Sequence, residues 1–161
     1  MALGLTITMN LLKAALFTLI AFALLLVASA VAAKADLVFG LEKFQSPIAA
    51  AVGASFLLLG FILRFWATML FYQNRLKVIS PKPQQTLLTS GPYKFSRNPL
   101  YLGIIFILFG AVLLLGSFSA VLFSFVVFGL LDWWTRIEEN QLVVTFGKGY
   151  LDFKSSVRRW L

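Results

Sequence analysis

Hydrophobic positions in this chain gather into four long runs, about Ala14–Ala33, Pro47–Tyr72, Pro99–Leu115 and Phe118–Trp134, separated by short polar segments. A helix needs around 20 residues to cross a bilayer core of roughly 30 Å. The first two runs therefore predict membrane spans outright. The last two hold 17 residues each and meet at Gly116-Ser117, which predicts a tight antiparallel hairpin of two short helices. One helix of about 33 residues with a central glycine is the competing reading, but at 1.5 Å per residue it would overshoot the core. The pattern predicts an all-α integral membrane protein with four spans and an amphipathic tail.

Composition agrees. Hydrophobic residues make up 60% of the 161 positions and charged residues 12%, with a formal net charge of +8. The positive surplus flanks apolar runs, so it marks topology rather than a nucleic-acid surface. The segment Gln73–Asn98 carries Arg75, Lys77, Lys82, Lys94 and Arg97 without an acid, and the tail carries Arg136, Lys148, Lys154, Arg158 and Arg159. Both are expected in the cytoplasm, at a cell inner membrane, with four crossings placing the N-terminus there too. Lys13 followed by an apolar run and Ala28-Ser29-Ala30 resembles a cleavable signal, although Ala14–Ala33 is long enough to remain as a span. On the second run, Ala49, Gly53 and Gly60 offer small residues, as do Gly103 and Gly110 on the third. These predict close helix approach. Trp133 and Trp134 suit an interfacial aromatic belt.

The chain has no cysteine and no histidine. Disulfides and thiolate chemistry are excluded, the usual base near neutral pH is absent, and a transition-metal site is not expected. Any chemistry falls to carboxylates, tyrosines, arginines and amides. These concentrate in two places. Gly91-Pro92-Tyr93-Lys94-Phe95-Ser96-Arg97-Asn98-Pro99-Leu100-Tyr101-Leu102-Gly103 is polar and stiffened between apolar runs. Gly91-Pro92 signals a turn, and Asn98-Pro99 signals a helix start with Asn as N-cap. The resulting helix N-terminus can attract anionic groups. At the foot of the fourth run, Asp132, Arg136 and Glu139 share a helix face, with Glu138 about 100° away. Asp132 can pair with Arg136, leaving Glu139 to hold a cation. Arg64, inside the second run, can snorkel or pair with one of these acids. The aromatic and basic tail from Phe146 reads as a segment that lies on the membrane or folds back over the hairpin.

Gly91-Pro92-Tyr93, then Arg97-Asn98-Pro99-Leu100-Tyr101-Leu102-Gly103, an apolar hairpin, Glu138-Glu139 and Phe146-Gly147 with Tyr150 together resemble the isoprenylcysteine carboxyl methyltransferases. That family shares a core with the phospholipid N-methyltransferases. The resemblance covers about residues 47–161, so the chain divides into a first span with its connector, 1–46, and a methyltransferase-like core within one membrane domain.

The resemblance implies S-adenosylmethionine as methyl donor, held by Tyr93, Arg97, Asn98, Tyr101, Glu138 and Glu139. It also implies a catalytic contribution from Arg97, Asn98 and Arg136, no metal, no nucleic acid, and a lipophilic or lipid-linked acceptor met among membrane lipids. Asn98 stands where the family carries histidine, and an amide cannot take up a proton. Carboxylate methylation leads. Amine or phospholipid N-methylation, an NADPH-dependent reductase of the steroid-reductase type and a non-enzymatic helical scaffold are the alternatives. The acidic pair argues against a polyphosphate ligand.

Overall fold

A computed structural model of the chain describes residues 2–76, 78 and 86–161, with side chains from residue 8 onward. Lys77 and Lys82, two of the charges used to orient the chain, lie outside the described residues. Every regular element among the described residues is helical: α1 Ala2–Ala33, α2 Ala35–Phe39, α3 Pro47–Gln73, α4 Pro99–Leu115, α5 Phe118–Phe146 and α6 Lys148–Ser156, with a 3-10 turn at Gly91–Lys94. Three stretches among the described residues are long and apolar enough to cross a membrane, Thr8–Phe39, Pro47–Gln73 and Phe118–Phe146, whereas α4 is apolar but shorter. The chain is an all-α membrane protein.

Local chemistry sets the helix ends. Ser46 caps α3 by accepting from the Ala49 N–H at 3.0 Å, with Pro47 at the first helical position. Gly116 ends α4 in the left-handed region at φ 57°, a conformation open to glycine. Ser117 then starts α5 by accepting from the Ala120 N–H at 3.1 Å. The single-helix alternative is thereby excluded. The fourth run does not stop near Trp134: α5 continues for three more turns to Phe146. No glycine or proline interrupts Thr135–Phe146, and the helix ends only where Gly147 takes φ 53°.

The core of the bundle is the α3–α4 pair, the most extensive helix contact in the chain. The predicted small residues face one another across it. A Cβ built on Gly53 would lie 2.8 Å from the Gly110 carbonyl oxygen, and one on Gly60 would lie 2.8 Å from that of Gly103. In a bilayer, lipid tails are as apolar as leucine, so helix association rests on such close packing. The antiparallel α3–α4 packing brings the C-terminal end of α3 alongside the start of α4. At the opposite end, the connector is fastened to the α4–α5 turn. The Phe44 N–H donates to the Gly116 carbonyl at 2.9 Å, and the Gln45 amide donates to the Leu114 carbonyl at 3.1 Å. The buried Asp36 carboxylate accepts from the Ser119 N–H at 2.9 Å.

Gly60→Leu is expected to destabilise the protein by about 1–3 kcal/mol, the range for overpacking a tight core. Gly129→Leu, where an added Cβ meets nothing within 4 Å, is expected to stay within about 0.5 kcal/mol apart from helix-propensity gains. Thermal unfolding in detergent followed by circular dichroism checks the pair.

Candidate functional site

The described residues just before α4 pack against the end of α3. Gly91 adopts φ 58° and lies close to Trp66, whose indole nitrogen would be 3.4 Å from an added Cβ. The turn that follows buries Pro92 and Tyr93, and burial raises the Tyr93 hydroxyl well above its ordinary pKa. α4 starts at Pro99, as the Asn-Pro signal predicts. Asn98 occupies the N-cap position, but its side chain makes no cap bond. It turns instead toward the Glu139 carboxylate, at 3.5 Å, and the Arg159 carbonyl, at 3.4 Å. A buried anion is the stronger acceptor and draws the amide away from the helix end.

Glu139 is 2% exposed and sits at the centre of this end of the molecule. Arg97 donates to it through Nε at 3.2 Å and Nη2 at 3.0 Å. Arg159 donates through Nε and Nη2, both at 3.0 Å, and the Lys154 Nζ lies 3.7 Å away. The remaining Arg97 donor, Nη1, reaches the carbonyls of Lys154 and Val157, and the Arg97 N–H donates to the Arg158 carbonyl. Arg159 also contacts Asp132 at 3.3 Å, as does the Trp160 indole N–H. The tail therefore folds back over the helices, and α6 buries Tyr150 and Phe153 against Tyr93, Leu88 and Leu100.

Glu138 points elsewhere. It accepts from the Tyr101 hydroxyl at 3.0 Å and from the Trp134 indole N–H at 2.9 Å, both through Oε1. A pocket opens beside it, with about 150 Å³ of cavity volume and about 940 Å³ of space once its open mouth is included. Tyr93, Arg97, Asn98, Tyr101 and Glu138 all line it. Glu139 does not, and its charge is already met by protein cations. Arg136 pairs with Asp132 at 2.8 Å, as its spacing predicts, and stands largely in the open, away from the pocket.

Three residues gain a place that spacing alone did not assign. Tyr150 lines the pocket while 1% exposed, and its hydroxyl meets no hydrogen-bond partner among the described residues. Burial, with the nearby Glu139 charge, pushes its pKa up to about 12, so the phenol stays protonated at neutral pH. Arg159 closes the network, and the hydrogen bond to Glu139 holds its guanidinium even more firmly charged. Trp134 is more than a belt residue because it fixes Glu138. Arg64 neither snorkels nor pairs with an acid. It is buried, donates to the Leu100 carbonyl at 3.1 Å and lies over the Phe17 ring at 5.6 Å. Its Nε has no partner among the described residues, and Tyr101 is within its electrostatic reach.

The phospholipid methyltransferase family profile matches residues 48–149, and the chain belongs to that family. It is 36% identical over 72 residues to a protein-S-isoprenylcysteine O-methyltransferase of Saccharomyces cerevisiae, a match covering 44% of this chain and 30% of the relative. It is 33% identical over 105 residues to the protein of the same name from Schizosaccharomyces pombe, covering 63% of this chain and 44% of the relative. The chain thus spans less than half the length of the curated relatives it matches. No solved structure matches it significantly.

Glu139→Gln is expected to destabilise the fold by about 1–3 kcal/mol, because half-buried Arg97 and Arg159 lose the charged acceptor they share. Arg136→Ala removes an exposed pair and is expected to cost less than about 1 kcal/mol. Denaturant titration in mild detergent distinguishes a network that supports the fold from a surface stripe.

Proposed function

We propose that this chain transfers a methyl group from S-adenosylmethionine to the carboxylate of a lipophilic acceptor at the cytoplasmic face of a membrane. The observation that carries the reading is one pocket gathering Tyr93, Arg97, Asn98, Tyr101 and Glu138 at the ends of apolar helices. Family membership supports methyl transfer, and the names of the two relatives support a carboxyl acceptor. The basic segments at this end support a cytoplasmic location by the positive-inside rule. Residues 47–161 then form the working core of a four-span domain, with 1–46 as the added span and connector.

The residues present fit that cofactor. Glu138 offers a carboxylate to an ammonium, and both its hydrogen bonds use one oxygen. The rings of Phe71, Tyr93 and Tyr101 in the lining suit a sulfonium. The Tyr150 hydroxyl is a buried donor without a partner among the described residues. Bound there, S-adenosylmethionine supplies a methyl group on an electrophilic sulfonium. The protein's part in such a displacement is alignment. Tyr101 and Trp134 hold Glu138 in place. Arg97, Asn98 and Glu139 serve as positioning residues that, with Arg159, pin α6 as a wall of the pocket, and Arg136 stands outside the pocket lining. The apolar lining from Leu87, Leu88, Leu100 and Phe153 excludes water that would compete as nucleophile.

The acceptor follows from what is missing and from Arg64. With no histidine or cysteine, the site lacks a base near neutral pH, which favours an acceptor already anionic. Arg64 stands outside the pocket lining, but its buried guanidinium pairs with no acid among the described residues and has Tyr101 within electrostatic reach, and positive charge on that side supports a carboxylate over an amine.

Calorimetry in detergent is expected to give saturable binding of S-adenosylhomocysteine and none of NADPH. Glu138→Gln is expected to weaken that binding by about 1.5–3 kcal/mol, the range for a hydrogen bond to a charged group. NADPH binding with no response to S-adenosylhomocysteine would replace this reading with a reductase. In membranes supplied with methyl-labelled cofactor, the lipid-phase product is expected to release labelled methanol in mild base. A base-stable product points to N-methylation.

A further inference from the structure

A second large cavity lies outside the polar pocket. It is a groove between α4 and α5 with about 840 Å³ of space including its mouth, lined by Ile105, Phe109 and Val112 on one side and Val121, Phe125 and Phe128 on the other. Ser124 is its only hydroxyl, and that hydroxyl donates to the Ala120 carbonyl at 2.8 Å. Nothing in the groove wall therefore calls for a polar partner.

The groove has a polar end and a built floor. Tyr101, Ile105, Leu108 and Val112 recur at helical spacing on one face of α4. The groove thus continues, over about 16 Å at 1.5 Å per residue, the line that begins at the Tyr101–Glu138 pair. Its far end is stopped by Phe44. That ring does not float. The Phe44 N–H and the Gln45 amide are bonded to carbonyls of the α4–α5 turn, and the ring packs edge-on against Phe118 with centroids 5.0 Å apart. A cleft filled only by bulk lipid needs neither a polar head position nor a fixed floor.

We propose that this groove holds the apolar chain of the methyl acceptor, a single-chain amphiphile with an anionic head, and that Phe44 is the stop that sets the longest chain accepted. The inference rests on reading the polar pocket as the methyl-transfer site, and it adds where the acceptor's tail lies and which residue measures it.

The test requires no turnover. Protein in phospholipid nanodiscs is photolysed with alkyl carboxylates of graded length bearing a terminal diazirine, and labelled peptides are identified by mass spectrometry. Chains up to a limiting length are expected to label Phe44, Val112 and Val121, with a severalfold drop beyond that limit. Phe44→Ala is expected to move the limit to longer chains, and Phe44→Leu to move it less. Ser124→Phe, which fills the groove, is expected to reduce labelling severalfold at every length. Leu122→Ala, on the exposed face of α5, is expected to leave it unchanged.

Because the nanodisc phospholipids are in excess, a groove that takes bulk acyl chains shows no length limit, which would overturn the proposal. So would labelling spread equally over exposed Leu12 and Leu24 of α1, or a limit unmoved in folded Phe44→Ala and Phe44→Leu proteins. Calorimetry with S-adenosylhomocysteine on the same samples separates the two readings. Length-limited labelling without cofactor binding keeps the chain site and removes the methyl acceptor as its occupant.

Discussion

Burying a carboxylate is costly unless cations and hydrogen bonds surround it, and Glu139 makes that demand at the end of the bundle. Its solution draws Arg97 from the start of α4, Asn98 beside it, and Arg159 from the tail into one cluster. The donors come from two stretches of chain and the acid from a third, so satisfying one charge also determines where three segments lie. The pocket wall formed by Tyr150 and Phe153 exists because the tail is returned to the helices by this cluster. The adjacent acid, one residue earlier on the same helix, is turned by about 100° and is left facing the pocket. Two neighbouring glutamates thus meet different surroundings, one an internal ion-pair cluster and the other the pocket.

The two cavities are correspondingly different in character. The polar pocket is walled by the tail and the segment before α4, and its lining mixes aromatic rings with hydrogen-bonding groups. The groove between α4 and α5 is walled by helices alone and is apolar throughout its described lining apart from Ser124. Tyr101 stands where the first ends and its helix face leads to the second. A molecule with a charged head and a greasy chain has matching surroundings for both of its parts within one protein of this size.

Much of this was legible in the residues. The starts of α3 and α4, the break at Gly116-Ser117 and the Asp132–Arg136 pair follow from local rules of capping, proline placement and helical spacing. The facing glycines of α3 and α4 were readable as well, because small residues in membrane helices have a packing meaning. The end of α5 was not: hydropathy marks where a helix leaves the lipid, not where it stops, and Thr135–Phe146 contains nothing that ends a helix. The partner of Glu139 was also out of reach. Arg159 is twenty residues away across a turn and a short helix, and nothing in the pattern of Val157-Arg158-Arg159-Trp160 tells which arginine points inward. Asn98 failed as a cap for a related reason, since a buried charge contributed by a distant element outweighed its local preference.

The glycine contacts between α3 and α4 have a bearing on how the molecule responds to its surroundings. Their strength comes from backbone surfaces in van der Waals contact, which ionic strength and pH leave alone. The tail adds two partly exposed ion pairs, Lys154–Glu139 and Arg159–Asp132, which salt screens, to the buried Arg159–Glu139 pair, which it screens far less. One side of the pocket is therefore indifferent to the electrolyte and the other is sensitive to it. Salt thus reaches only the outer ion pairs of the tail, while the buried Glu139 cluster and the helix pair keep the frame of the site in place.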